Sequence, residues 1–323
     1  MTVATLVLGA GALGIGLGVL LERYHLCTMG AVADVVLFGS WRRARMFGTA
    51  LAMAALLLHA GVLIGAVVPA ALVWPIGALV AASAGGVLFG LGMVLAGGCA
   101  SRLVVRAASG NGKATVALLA LLASAGLTIV LLPLPVTGGF VPTGHAVSTI
   151  AILVAFAVLI ALIARARTDD RARGLWPALG LGAIVAGAMS LTAGSGNAVP
   201  PNFVPAAHLA GDADARMWGF LAALLVGTLA GSAVSARQGG RWRPEGLAPD
   251  DDFRRHLGGG VAMGAGGALA GGCTLGTGLG GTAMGAPAAW LAVGGMAAGA
   301  AWMLHVLTSG GWQPALRSLW FRT

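Results

Sequence analysis

Charge is what this chain has least of. Asp, Glu, Lys and Arg make up 9% of its 323 residues, against about 25% in an ordinary soluble domain. Nineteen basic and ten acidic side chains cannot clothe the surface of a soluble enzyme of this size. Cysteine is scarce too. Cys27, Cys99 and Cys273 are too few and too scattered for a disulfide framework. They also lack the CxxC or HxxxH spacing of a zinc site. No basic residue precedes the first apolar run, so that run reads as a retained span and not as a signal peptide.

Apolar residues, by contrast, form 58% of the chain, glycine fills 54 positions and the mean hydropathy is +0.91. Disorder is excluded, because its signature is low hydrophobicity. At about 20 residues per membrane-spanning helix, the length holds roughly nine spans. The fold class is therefore all-α and polytopic, a membrane protein. The net charge of +9 does not imply nucleic acid, because in such a chain the position of the charges matters more than their sum.

Apolar runs fall near residues 5–21, 47–68, 75–96, 114–132, 146–164, 175–193, 217–236, 257–271 and 286–307. Seventeen of the nineteen Lys and Arg cluster between them, in groups near 42–45, 102–113, 165–173, 237–255 and 317–322. These spans put all five groups on one face and leave only Arg23 and Arg216 elsewhere. The positive-inside rule makes that face cytoplasmic, with the N-terminus outside and the C-terminus inside. Trp41, Trp176, Trp218, Trp312 and Trp320 fall near span ends, where amphipathic rings anchor at the interface.

Two stretches repeat. Residues 90–99 read GLGMVLAGGC and residues 264–273 read GAGGALAGGC, with seven identities at an offset of 174. Arg45-Met46-Phe47-Gly48 resembles Arg216-Met217-Trp218-Gly219, and Leu13-Gly14-Ile15-Gly16 parallels Leu179-Gly180-Leu181-Gly182, in the same order. The chain thus reads as one membrane domain over residues 1–323. Repeat 1 covers about 1–145, a connecting span and loop about 146–174, and repeat 2 about 175–323. The odd connecting span inverts the second repeat, an arrangement usual in transporters.

Decoys are removed by context. Gly9-Ala10-Gly11-Ala12-Leu13-Gly14 matches GxGxxG, but no βαβ unit surrounds it; small residues at helix-packing spacing explain it better. Ser109-Gly110-Asn111-Gly112-Lys113-Ala114 lacks the first glycine and the Ser/Thr of a phosphate loop.

The cysteine segments carry more chemistry. Gly97-Gly98 precede Cys99, Gly271-Gly272 precede Cys273, and small residues flank Cys27. Glycine pairs there break a helix and expose backbone N–H groups. Such backbone is tolerated at membrane depth only where it lines a cavity or is buried in protein. Broken helices in corresponding halves point to a transport site. The segment equivalent to Cys27 reads Leu191-Thr192-Ala193-Gly194, which offers a threonine. His25 near Cys27 keeps a Cys–His pair in view. Arg102 and Arg106, one turn apart after Cys99, either anchor the interface or draw an anion from the pore. Glu22 and Arg23 read as an ion pair or interface residues. Asp34 is an intramembrane acid or an interfacial one, and His59 and His305 read as satisfied core histidines. The role of Asn197 and the prolines after it stays open.

The segments LCTMGA around Cys27, FGLGMVLAGGCASRLVVRAASGNGK around Cys99 and AGGCTLGTGLGG around Cys273 resemble the YeeE/YedE family of bacterial inner-membrane proteins, the sulfur transport family. The resemblance implies uptake of thiosulfate across the inner membrane by a non-enzymatic transporter without cofactor or metal. It also implies re-entrant helix–loop segments meeting at a central constriction. The family's three important cysteines map onto Cys27, Cys99 and Cys273. A TusA-like sulfur carrier is an expected cytosolic partner. Alternatives are a selenium species or another small sulfur anion as cargo, or a membrane sulfurtransferase holding a persulfide. A neutral thiol can donate a weak hydrogen bond to the soft terminal sulfur of thiosulfate without repelling its charge. Helix N-termini then suit the oxygens. On this reading Cys27, Cys99, Cys273, Gly97, Gly98, Gly271, Gly272 and Arg102 form the path.

Overall fold

The computed structural model describes residues 2–65, 76–132, 145–165, 174–193, 201–204, 215–246 and 250–310. Its elements are helical: α1 Val3–Tyr24, α2 Thr28–Phe38, α3 Arg42–Leu63, α4 Ile76–Leu95, α5 Ala100–Ala108, α6 Gly112–Leu131, α7 His145–Arg165, α8 Trp176–Ala193, α9 Ala215–Gln238, α10 Asp250–Leu269, a π-helical segment Gly276–Gly281 and α11 Pro287–Thr308. Each apolar run seen in the sequence falls on one of the long helices. Seven spans among the described residues are long and apolar enough to cross a membrane. Two of them, Val3–Phe38 and Ile76–Ala108, each contain a break, so α2 and α5 are short continuations of α1 and α4. Helix α10 falls outside those seven because its first turns carry Asp250, Asp251, Asp252, Arg254 and Arg255. Helix α7 is apolar over Thr149–Leu162.

The helices pair across the sequence. Helix α1 packs along α9 and α3 along α8; α4 packs along α11 and α6 along α10; α4 and α10 cross at the centre, and α1 meets α8. Exchanging α1 with α8, α3 with α9, α4 with α10 and α6 with α11 maps this set of pairs onto itself, while α7, which packs on α3, stands outside the exchange.

Small residues make the crossings possible. In lipid, helices associate mainly by close van der Waals packing, because tails are as apolar as leucine. A Cβ built on Gly14 of α1 would lie 2.5 Å from the Leu224 carbonyl oxygen of α9, and one on Gly85 of α4 2.6 Å from that of Gly266 in α10. Gly90 of α4 presses on the Met296 carbonyl of α11 in the same way. The glycines of the false GxGxxG match therefore serve helix contact: Gly14 faces α9, and Gly227 of α9 faces the Gly11 carbonyl.

One end of the bundle is tied by polar contacts between distant segments. Glu22, only 3% exposed, accepts from Arg241 Nε and Nη2, each at 2.8 Å, and from Ser235 Oγ at 2.7 Å. A buried carboxylate needs such partners to stay charged. Nearby, the Arg243 and Glu245 N–H groups donate to the carbonyls of Ser109 and Gly110 at 3.2 and 3.0 Å. Asn111 caps α6 by accepting from the Ala114 N–H at 2.9 Å. Lys113 pairs with Asp252, and this ammonium holds the Asp252 carboxyl below its usual range. That contact supports the fold above the ordinary carboxylate pKa and is lost as pH falls through the lowered one.

These contacts predict contrasting substitutions. Gly90→Ala drives a methyl into the α11 backbone and is expected to cost about 1–3 kcal/mol. Gly126→Ala, which meets nothing within 4 Å, should gain about 0.5–1 kcal/mol from helix propensity. Glu22→Ala strands Ser235 and Arg241 and should cost about 1–3 kcal/mol. Thermal unfolding of the three variants in one detergent checks the order.

Candidate functional site

Each cysteine sits where a helix is interrupted. Helix α1 ends on His25, left-handed at φ 53°, and the chain runs extended to Cys27, the N-cap of α2. Helix α4 ends on Gly97 at φ 70°. The Gly98 N–H returns to the Met93 carbonyl at 2.9 Å, the closure that favours glycine at a helix C-terminus. Cys99 then caps α5. The second half repeats the device: Gly271 is left-handed at φ 77°, the Gly272 N–H bonds the Gly267 carbonyl at 2.8 Å, and the Cys273 carbonyl accepts from Thr277 at 2.9 Å. The glycine pairs break the helices as their sequence suggests.

The breaks bring two thiols together. Cys27 Sγ lies 3.5 Å from Cys99 Sγ, and Cys99 Sγ lies 3.2 Å from Ser101 Oγ. Cys99 is fully buried, Cys27 partly so. The backbone N–H groups of Thr28 and Arg102 face the Cys99 sulfur, and that of Cys99 faces the Cys27 sulfur. Cys273 is buried apart from this pair, with the N–H groups of Phe203, Leu275 and Gly276 toward its sulfur. Those of Thr28 and Arg102, in the first turns of α2 and α5, lack intrahelical partners and carry partial positive charge.

Cys27 also lines a cavity of about 400 Å³. Thr28, Ser101, Thr274 and Leu275 share its wall, and Arg42, Arg43, Asp34 and Ser40 lie toward its charged side. Asp34 pairs with Arg43 at 3.1 Å, so this acid is tied to the start of α3. Arg102 Nη1 donates to His25 Nδ1 at 2.9 Å; guanidinium only donates, so Nδ1 is the acceptor. His25 is thus turned to Arg102 and not to Cys27. Arg106 Nη1 donates to the Gly97 carbonyl at 3.3 Å, bracing the break. Among the described residues, no three His, Cys, Asp or Glu side chains gather as metal ligands would.

Two sequence expectations need correcting. Thr192 lies inside α8, and its hydroxyl donates to the carbonyls of Ala188 and Met189 at 3.2 and 3.0 Å, so it stands within a helix and not, like Cys27, at a break. The residue that meets Cys273 is Asn202, 5% exposed, whose Oδ1 accepts from the Cys273 N–H at 2.9 Å. His59 is buried, and its Nδ1 has no hydrogen-bond partner among the described residues, so it is not a satisfied core histidine. Ser101 and Thr274, each one or two positions past a cysteine, are the other polar groups passed over. Asn197 lies outside the described residues.

Long apolar helices broken at buried thiols, with helix starts facing the sulfurs, define a polytopic membrane protein with an anion-suited interior. The sulphur transport model matches residues 23–173 and 145–302. The chain belongs to this family, the YeeE/YedE family that its cysteine segments resemble, and so to membrane proteins of sulfur-anion transport. No curated protein matches it.

The sulfur geometry is testable by itself. Diamide, taking up two electrons and two protons, is expected to join Cys27 to Cys99 within one chain. Cys273 then remains the single thiol titrated by maleimide after denaturation. Three free thiols after treatment, or a bridge to Cys273, would contradict the arrangement.

Proposed function

We propose that the chain imports thiosulfate across the bacterial inner membrane along Cys273, Cys99 and Cys27, releasing it into the arginine-lined cavity. The observation that carries this reading is the 3.5 Å contact between the Cys27 and Cys99 sulfurs beside that cavity. Thiosulfate is a dianion with oxygens at one end and an exposed soft sulfur at the other. Thiols offer the sulfur weak donors, and the helix starts at Thr28 and Ala100 offer the oxygens partial positive charge. Contacts of this strength in series let an ion enter and leave.

The architecture we assign is two inverted repeats, about 1–145 and 175–323, joined by the span and loop at 146–174. Support comes from the exchange symmetry of the helix pairs and from a family match in two overlapping stretches. The face bearing Arg42, Arg43, Arg241 and Arg243 is then cytoplasmic, with the N-terminus in the periplasm and the C-terminus in the cytoplasm. A TusA-like carrier would receive the sulfur there, at partly exposed Cys27. Gly97, Gly98, Gly271 and Gly272 shape the route, and Arg102 holds its cytoplasmic bend through His25.

Uptake of labelled thiosulfate into proteoliposomes tests this. Each change, Cys27→Ala, Cys99→Ala or Cys273→Ala, should lower uptake about tenfold or more, equivalent to ~1.4 kcal/mol at the barrier, with insertion unchanged. Full uptake by the Cys99 and Cys273 variants would sink the path. Competition by unlabelled selenium and sulfur oxyanions separates thiosulfate from other cargo. A persulfide, seen as about 32 mass units on one cysteine without liposome transport, would instead favour sulfur transfer.

A further inference from the structure

Cys27 and Asn202 occupy corresponding places. In the first half, the Cys99 N–H faces the Cys27 side chain and the Thr28 N–H faces the Cys99 sulfur. In the second half, the Cys273 N–H donates to the Asn202 side chain at 2.9 Å, and the Phe203 N–H faces the Cys273 sulfur. Each polar side chain is followed by the residue that serves the partner cysteine. An amide therefore stands in the second half where the first half has a thiol.

The hydrogen bonds fix which way that amide points. Two backbone donors, Cys273 N–H at 2.9 Å and Val204 N–H at 3.2 Å, converge on one side-chain atom. Only the carbonyl oxygen of an asparagine accepts, so that atom is Oδ1. The NH2 group is left over Gly272 and Gly276, where a built Cβ would collide with the amide. Glycine at both places leaves that approach open. Among the described residues no acceptor takes Nδ2, although the side chain is 95% buried. Nδ2 is not fully enclosed, since among the described residues the one fully enclosed side-chain N or O without a partner is His59 Nδ1, so a passing acceptor can satisfy this donor.

We propose that Asn202 is a substrate-contacting residue of the second half, its Nδ2 donating to the oxygens of the passing anion while Oδ1 holds the Cys273 backbone. This rests on the path reading above and names the group that recognises the oxyanion end beside Cys273. An NH2 group donates to sulfonate-type oxygens without adding charge, and it offers nothing to a cation.

Asn202→Asp separates the two roles. The carboxylate keeps the acceptor for Cys273 and Val204, whose N–H groups favour its ionised form, but it replaces the donor with negative charge. A merely structural role predicts near-normal behaviour. The proposal predicts a KM for labelled thiosulfate raised about tenfold to a hundredfold, or ~1.4–2.8 kcal/mol. A second readout needs no thiosulfate. With Cys27→Ser and Cys99→Ser leaving Cys273 as the single thiol, iodoacetate and iodoacetamide differ in charge and little in size. Asn202→Asp should lower the ratio of their alkylation rates at Cys273 about tenfold. If the Asp variant fails to insert, Asn202→Ser removes the amide without charge and should also raise KM and lower the ratio. An unchanged ratio in the inserted variant overturns the proposal. A shifted ratio with no thiosulfate uptake by the unsubstituted protein overturns the cargo and leaves Asn202 as an anion contact.

Discussion

Inside a bilayer, a backbone N–H without an acceptor costs several kcal/mol, and the centre of this molecule is organised around that constraint. The chain leaves helical geometry at residues 25–27, 96–99 and 270–275, each time beside a cysteine. The broken ends are closed partly within themselves, by the glycine turns at Gly97 and Gly271. The remaining donors are met from elsewhere in the chain. Cys27 reaches Cys99 across 72 residues, and Asn202 reaches Cys273 across 71. Neither break can be stable alone, so the two halves fold as partners of their own interrupted helices.

Close helix approach sets how well those partners meet. Glycines place α1 on α9, α4 on α11 and α6 on α10 with backbone nearly touching backbone. A bundle held by larger side chains would stand its helices farther apart and separate the breaks. The ion pair of buried Glu22 with exposed Arg241 does the same work at the charged end, where α1 finishes just before Cys27. Packing, latch and sulfur contact therefore form one chain of dependence running from lipid-facing helices to the site.

Much of this was legible in the sequence, and what was missed has physical reasons. The long helices follow from uninterrupted apolar runs, and the breaks at Cys99 and Cys273 follow from Gly-Gly at equivalent positions. Cys27 was legible only as a cysteine among small residues. Its counterpart was sought by order along the chain, which pointed to Thr192. The chain between α8 and α9 does not keep the spacing of the first half, so sequence offset fails there, while the hydrogen bond to Cys273 identifies Asn202. Glu22 and Arg241 lie 219 positions apart, and nothing local to either announces the other. A strict reading of the repeat could have raised one signal: a segment facing a cysteine break needs a polar side chain, and Asn202 is the first after the proline pair Pro200-Pro201.

The breaks before Cys99 and Cys273 are alike in backbone and unlike in chemistry. Beside Cys99 stands a second thiol, soft and weakly donating; beside Cys273 stands an amide, a stronger and harder donor. An ion with oxygens at one end and sulfur at the other meets different partners at the two stations. On the proposed path its oxygens would meet the amide and its sulfur the touching thiols. Arg42 and Arg43 line the cavity beside Cys27, with Asp34 among them. Cys99 and Cys273 are both fully buried, so on the proposed path an ion would pass between them only with a small displacement of the backbone around the two breaks. Glycine on the N-terminal side of each break supplies the freedom for that movement at the point where the backbone already departs from the helix.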